Sequence, residues 1–510
     1  MKDEYSTRHR IGLFAGLPLF VLFLLLPRPE GMSPEAQKTL AVTILMAFWW
    51  ITEALPIPAT ALMPLILFPL LKVDNAQNVA RQFGDNNIYL FMGGFFLATA
   101  IEKCGLHRRI ALKTVSILGT GPKKIVFGMM CTTAFLSMWI SNTATAMMML
   151  PIAVAIAKHA ELLNSGSLLE ERQFGSFETA LLFGIGYAAS IGGIGTLIGT
   201  PPNIIFASQV RKLFPSAPEI SFFQWFIVGF PLVVFFIPVA WFYLVHIAHP
   251  VRVKSIPGGK AVIRQQLKEL GSMKQDEKYV LIVFLMTALG WIFLRNIDVG
   301  LFTIPGWSNL LGIEDMIHDS TVAILASIFL FMIPVDFKGG EFLLDWKSAV
   351  KIPWGILLLF GGGLALAHEF QTTGLAEWIG SHLSVLKAVP ILLAVVVVVF
   401  LLDFLTEVTS NTAITSLFMP ILAATSIGMG VHPYLFMIAG TIAASLAFML
   451  PVATPPNAVI FSSGYITLPQ MARTGFFMNL LGMIITTAVV YALAIPVFRI
   501  TLTHLPEWVK

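Results

Sequence analysis

Long apolar stretches separated by short polar ones run the length of the chain. Eleven have the length of a membrane-crossing helix, at roughly 11–27, 36–54, 57–72, 86–104, 177–209, 222–247, 279–296, 319–334, 352–371, 432–462 and 475–500. A helix needs about 20 residues to cross about 30 Å of hydrocarbon, and segments such as Leu40–Trp50 and Met478–Phe498 carry no charge at all. Two further stretches, 123–157 and 388–424, are too long for one span and carry polar Ser-Asn-Thr at their centre. They read as re-entrant hairpins, entering and leaving on one side. The runs are continuous rather than alternating, which speaks against a β-barrel. The predicted fold class is all-α: a polytopic membrane protein of about eleven transmembrane helices plus two hairpins.

Composition agrees. Of 510 residues 56% are apolar and 12% charged, about half the charged share of soluble domains. Charge distribution then orients the chain, because cytoplasmic loops are enriched in Lys and Arg. With the N-terminus inside, cytoplasmic segments hold 22 of the 32 Lys and Arg. The external loop 297–318 holds Asp298, Glu314 and Asp315 but no Lys or Arg, and the C-terminus is expected outside. The net charge of +4 is thus a topological signal and no pointer to nucleic acid. Lys2, Arg8 and Arg10 precede Ile11–Leu26 as in a signal peptide, but Pro27-Arg28-Pro29 follows without a small-residue cleavage site, so a retained first span is expected. Trp225, Trp307, Trp346, Trp354 and Trp378 lie near span ends, where membrane lipid would meet interfacial anchors. Cys104 and Cys131 form no disulfide framework or metal spacing.

The chain is also one unit written twice. At an offset of 269 residues, Leu90–Gly94 overlies Leu359–Gly363, Gly105 overlies Gly374, and Ser141-Asn142-Thr143-Ala144 overlies Ser410-Asn411-Thr412-Ala413. At an offset of 254, Thr200-Pro201-Pro202-Asn203 overlies Thr454-Pro455-Pro456-Asn457. The expected organisation is an N-terminal segment 1–35, a first repeat 36–250 with hairpin 123–157 and broken helix 177–209, a cytoplasmic linker 251–278, and a second repeat 279–510 with hairpin 388–424 and broken helix 432–462. Five spans plus a hairpin per repeat place the second copy upside down, a recurring plan of secondary transporters.

The polar tips have a definite chemistry. Between two half-helices, the end of one offers carbonyls and the start of the next offers N–H groups. Carbonyls with Ser, Thr and Asn oxygens suit Na⁺, whereas helix N-termini suit a carboxylate. Paired prolines in Gly199-Thr200-Pro201-Pro202 and Ala453-Thr454-Pro455-Pro456 break a helix within a span and release further carbonyls. Small polar residues often only join membrane helices, but two such pairs in one register exceed that role. Gly93-Gly94 and Gly361–Gly363 read as close helix packing, and the run from Gly192 lacks the strand context of a nucleotide loop. Among intramembrane acids, Glu407 is read as structural, bonding its own hairpin's backbone. Glu53, before Pro56, is read as structural, Glu178 as solvated at its span's start, and His368-Glu369 as lying near a span end.

The doubled Ser-Asn-Thr and Thr-Pro-Pro-Asn motifs and the eleven-span plan resemble the divalent anion/sodium symporters, among them the bacterial sodium/dicarboxylate carriers. That resemblance implies a homodimer in the plasma membrane (the bacterial inner membrane), with a scaffold and a mobile transport domain working as an elevator. It implies one Na⁺ site at Ser137, Ser141, Asn142 and the Gly199 carbonyl, and a second at Thr406, Thr409, Asn411 and the Ala453 carbonyl. Substrate would be held by Asn142, Thr143, Thr200, Pro201, Ser410, Asn411, Thr412, Thr454 and Pro455. The expected function is Na⁺-coupled symport of C4-dicarboxylates such as succinate, malate and fumarate. The alternatives are a sodium-independent exchanger of the same fold, or citrate or sulfate as substrate. An enzyme is not expected, since no nucleophile, acid–base pair or metal-ligand set occupies these clusters.

Overall fold

The computed structural model describes residues 7–118, 121–162, 168–253, 265, 267–298 and 303–509. Lys2, part of the linker 251–278 with Lys254, Lys260 and Arg264, and part of the loop 297–318 lie outside the described residues. Regular structure is almost wholly helical. The described strands are two short antiparallel pairs, Ile297–Asp298 with Thr303–Ile304 and Pro334–Asp336 with Glu341–Phe342.

Local chemistry sets many helix ends. Ser33 accepts from Ala36 N ahead of Pro34 to start Pro34–Thr52. Ser221 with Gln224, and Thr467 with Gln470, form reciprocal capping boxes that open Phe222–Phe242 and Leu468–Val489. Gly105 and Gly374, 269 residues apart in sequence, both take φ of 78°. That left-handed backbone suits glycine and ends Asn86–Cys104 and Trp354–Thr372 at corresponding places. Each glycine leads into a helix missing from the expected spans, Leu106–Leu118 and Leu375–His382. The first of these turns by 75° from the span before it. Its Leu106, Ala111 and Leu112 are buried while Arg108 and Lys113 are exposed, so the segment expected as a basic loop is in part an amphipathic helix.

Among the described residues five helices are long and apolar enough to cross a membrane alone: Thr7–Leu25, Phe174–Gly193, Phe222–Ala248, Asn411–Met429 and Leu468–Val497. Several expected spans are built from shorter pieces. The stretch 57–72 is Ile57–Thr60 followed by Met63–Leu70, divided where Pro58 and Pro64 withhold backbone N–H groups. The broken helices are Leu168–Gly193 with Pro201–Leu213 and Tyr434–Ala443 with Pro455–Phe461. The hairpins are Pro122–Ser137 with Asn142–Leu162 and Ile391–Thr406 with Asn411–Met429.

Burial separates the middle of the bundle from its rim. Phe174–Gly193 is 83% buried and Thr7–Leu25 only 17%, although both are apolar. Phe14, Phe235 and Met286 stand exposed on the rim, an arrangement unfavourable in water and natural against lipid. The paired glycines mark close approach. A Cβ on Gly93 would fall 2.8 Å from the Ala323 carbonyl carbon, and one on Gly362 would fall 2.3 Å from Ala61 O.

Candidate functional site

Both hairpin tips and both helix breaks open into one cavity of about 440 Å³. Its walls contain Ser141, Asn142 and Thr143 from the first hairpin and Ser410, Asn411 and Thr412 from the second. Gly199, Thr200 and Pro201 line it from the first break, with Ala453, Thr454 and Pro455 from the second. The structure thus brings together every substrate residue expected from the sequence. The remaining lining is mostly apolar, with Ile57, Pro58, Phe91, Phe95, Ile356 and Leu359, and includes the acidic Glu53. Among the described residues, neither Lys nor Arg lines the cavity. Four helices begin at its surface, at Asn142, Asn411, Pro201 and Pro455. The residues before the two proline starts have matching backbones, φ −140° at Thr200 and −141° at Thr454.

Ser137, Thr406 and Thr409 do not line this cavity. They are buried, 0%, 0% and 3% exposed. Ser137 Oγ lies 2.7 Å from Asn142 Oδ1 and 2.6 Å from Ala189 O. Thr406 Oγ1 lies 2.7 Å from Asn411 Oδ1 and 3.1 Å from Ala444 O. One hydroxyl proton serves only one of the two oxygens each time, so each nest holds more acceptors than donors. Thr409 Oγ1 has no hydrogen-bond partner. Close below, Asn203 Nδ2 donates to Gly193 O at 3.1 Å and Thr196 O at 2.7 Å, and Asn457 Nδ2 donates to Ala447 O at 3.1 Å and Leu450 O at 3.0 Å. These pairs stand 254 residues apart in sequence, so the final Asn of each Thr-Pro-Pro-Asn motif ties its own helix break together. Room at the first break depends on glycine: a Cβ on Gly199 would fall 2.4 Å from Gly193 O and 3.0 Å from Met138 O.

Several acids and one tryptophan sit differently from expectation. Glu407 does not bond its own hairpin's backbone. Its carboxylate accepts from the N–H groups of Phe448 (2.6 Å), Met449 (2.9 Å) and Leu450 (3.1 Å) in the second break, and from Asn479 Nδ2 (2.8 Å). Met138 holds the corresponding sequence position in the first hairpin, where the shorter break closes with turn bonds such as Gly195 N to Gly192 O and Gly199 N to Thr196 O. Glu178 is buried rather than solvated, because its helix starts ten residues earlier, at Leu168. Glu53 lines the cavity and pairs with Arg8 at 2.5 Å, both side chains partly exposed. Trp225 is no interfacial anchor: it is fully buried, and Nε1 donates to Ile194 O, the first carbonyl of the first break, at 2.9 Å. Asp403 escaped the sequence reading altogether. It lies one turn before Glu407, fully buried, and neither carboxylate oxygen has a hydrogen-bond partner.

Comparison with known proteins shows what the whole chain is similar to. Staphylococcus saprophyticus SdcS, a sodium-dependent dicarboxylate transporter, is 45% identical over 503 residues, covering 98% of this chain and 94% of its own. The Staphylococcus aureus protein of the same name is 44% identical over 491 residues, covering 96% and 92%. Two solved structures share the fold at 12% identity and a TM-score of 0.55. Neisseria gonorrhoeae MtrF, from a class of antimetabolite efflux pumps, is covered over 97% of both chains. The Alcanivorax borkumensis YdaH transporter is covered over 95% of this chain and 98% of its own. The transmembrane region that defines the sodium:sulfate symporters matches residues 7–500, and with the doubled polar site at its centre the chain belongs to that family of membrane transporters.

Proposed function

We propose that this protein is a Na⁺-coupled symporter of C4-dicarboxylates, carrying succinate, malate or fumarate into the cell. The observation that carries the reading is the single cavity in which both hairpin tips and both helix breaks meet without a lysine or arginine. A dianion entering it meets four helix starts, whose partial positive charges are screened and fall off within the first turn. The paired prolines remove the first N–H groups of two of these, so Asn142, Thr143, Asn411 and Thr412 supply most direct donors. The helix starts alone are a weak trap for two full charges. Sodium ions in the oxygen-rich nests at Ser137–Asn142 and Thr406–Asn411 supply the remaining positive charge, and this is the physical reason for sodium to bind before substrate. At about 4 Å one such ion attracts a carboxylate by about 4 kcal/mol at an effective dielectric constant of 20. In this assignment Ser141, the Gly199 carbonyl, Thr409 and the Ala453 carbonyl complete the two sodium shells, and Thr200, Pro201, Ser410, Thr454 and Pro455 border the substrate.

The mostly apolar remainder of the lining gives the site two sides. A body made of hairpins and broken helices, moving along a scaffold that includes Ile57 and Ile356, is the arrangement an elevator requires. The finer assignments follow the resemblance and the charge distribution: a homodimer, repeats of opposite orientation, the N-terminus inside and the C-terminus outside. Two sodium ions make transport of a dianion neutral, and each tenfold sodium gradient adds about 1.4 kcal/mol per ion.

Labelled-succinate uptake into proteoliposomes under an inward Na⁺ gradient, against matched choline and Li⁺, tests the reading. Uptake that requires Na⁺, and that Asn142→Ala and Asn411→Ala abolish in folded protein, is the expected result. Uptake without Na⁺ that needs vesicles preloaded with dicarboxylate makes the protein an exchanger. Normal uptake by both variants removes the site assignment.

A further inference from the structure

A cluster of two carboxylates and an imidazole lies outside the lining of the transport cavity, where the turn before Ala76–Arg81 meets the last turns of Trp354–Thr372. Asp74, His368 and Glu369 each place one ligand atom within 4.8 Å of the other two. The two carboxylates are loaded in the same lopsided way. Asp74 Oδ1 accepts from Asn75 N at 2.7 Å, Asn75 Nδ2 at 3.3 Å and Asn78 Nδ2 at 2.9 Å, while Oδ2 accepts from nothing. Glu369 Oε2 accepts from Thr372 Oγ1 at 3.1 Å, while Oε1 has no partner although the residue is 2% exposed. Local donors therefore fix each carboxylate through one oxygen and leave the other bare.

His368 Nε2 stands 3.8 Å from Asp74 Oδ2, too far for a hydrogen bond. The nearby cation does not answer the cluster, since Lys212 Nζ is directed at Asp85 Oδ2, 3.6 Å away. Bare carboxylate oxygens in a shielded site, with an imidazole nitrogen beside them, repel one another unless something positive lies between them.

We propose that Asp74, His368 and Glu369 bind a divalent transition-metal ion of the Zn²⁺ type. One imidazole and two carboxylates with room for water form a three-ligand, open-position donor set. The nitrogen donor favours zinc-like ions over Mg²⁺ or Ca²⁺, which take oxygen ligands. Ligands on a tetrahedral zinc are roughly 3.4 Å apart, so ligand atoms that lie within 4.8 Å of one another would close by up to about 1.4 Å around the ion. His368 is 28% exposed in its side chain and gives the ion a path from solvent. Bound metal pins the turn at Asp74 to the helix that begins at Trp354 beside the cavity. In the orientation proposed above it does so on the outer side of the membrane.

The test uses the full chain, purified without a histidine tag, and ZnCl₂ and CoCl₂ as probes. Titration calorimetry is expected to show one Zn²⁺ per chain, with affinity falling at least tenfold in Glu369→Gln and in His368→Gln. Co²⁺ is expected to give the intense visible bands of a tetrahedral nitrogen–oxygen site in the native protein and to lose them in both variants. Monodisperse elution and substrate uptake show that the variants are folded, and these readouts are independent of the transport reading. Binding that is equal in native and variant protein overturns the proposal as adventitious binding at other histidines. No binding at all overturns it in favour of a proton shared between the two carboxylates.

Discussion

Glu407→Gln tests how the second helix break is held open. Three of the four donors to Glu407 meet one oxygen, Oε1, and Leu450 N meets the other. A glutamine oxygen in the Oε1 position keeps those three bonds but without charge assistance, a loss of about 1 kcal/mol each. Its NH₂ group then faces Leu450 N–H, donor to donor, which costs about 1–3 kcal/mol more. Removing a buried charge offsets part of this, leaving a net destabilisation of about 2–4 kcal/mol. Because Phe448–Leu450 lead to Ala453, whose carbonyl is proposed to complete the second sodium site, sodium activation should weaken with stability. The assay is thermal unfolding in detergent across a sodium series, with the sodium concentration for half-maximal uptake measured in parallel. Met138→Leu, at the matching position of the first hairpin, is the control and should cost under about 1.5 kcal/mol. Unchanged melting and unchanged sodium activation in Glu407→Gln would refute the reasoning.

Three further outcomes are expected. Ser137→Ala and Thr406→Val each remove a hydroxyl from a proposed sodium site and should raise the half-saturating sodium concentration about tenfold, equivalent to about 1.4 kcal/mol; Thr406→Ser should stay near native, and equal behaviour of the Val and Ser variants in sodium titrations of uptake would count against the assignment. Trp225→Phe loses the bond to Ile194 O, worth about 1 kcal/mol, and should shift sodium dependence more than succinate dependence; the reverse pattern in uptake kinetics would separate Trp225 from the break. Asp403→Asn removes a buried carboxylate that has no hydrogen-bond partner, so it should raise the melting temperature; a fall would mean that Asp403 holds a cation in the folded protein.

Part of this site was legible in one dimension. Ser141–Thr143, Ser410–Thr412 and the two Thr-Pro-Pro-Asn segments stand out because polar residues and paired prolines are conspicuous in apolar runs, and the repeat gives their correspondence. The Gly105 and Gly374 turns were visible as matching letters, though the amphipathic helices after them were hidden by basic residues read as loop. Glu407 was noticed and given the wrong partner, since its donors lie 41 to 72 residues away. Trp225 reads from its place near a span end as an interfacial anchor, and nothing local in the sequence marks its bond to Ile194 O or the burial of Asp403.

The sequence by itself determined the membrane class, the doubled architecture, the places where helices must break and the chemical character of the tips. Span length, proline and charge distribution act locally or along the membrane normal, so they survive in a linear reading. Only the tertiary structure decided which sides of the helices face inward: that Trp225 meets the first break, that Glu407 caps the second, and that Asp74 reaches His368 and Glu369. In a soluble protein the contrast between water and core would mark those faces. Here lipid and protein interior are equally apolar, so hydrophobic patterning around a membrane helix is silent, and packing settles what the sequence leaves open.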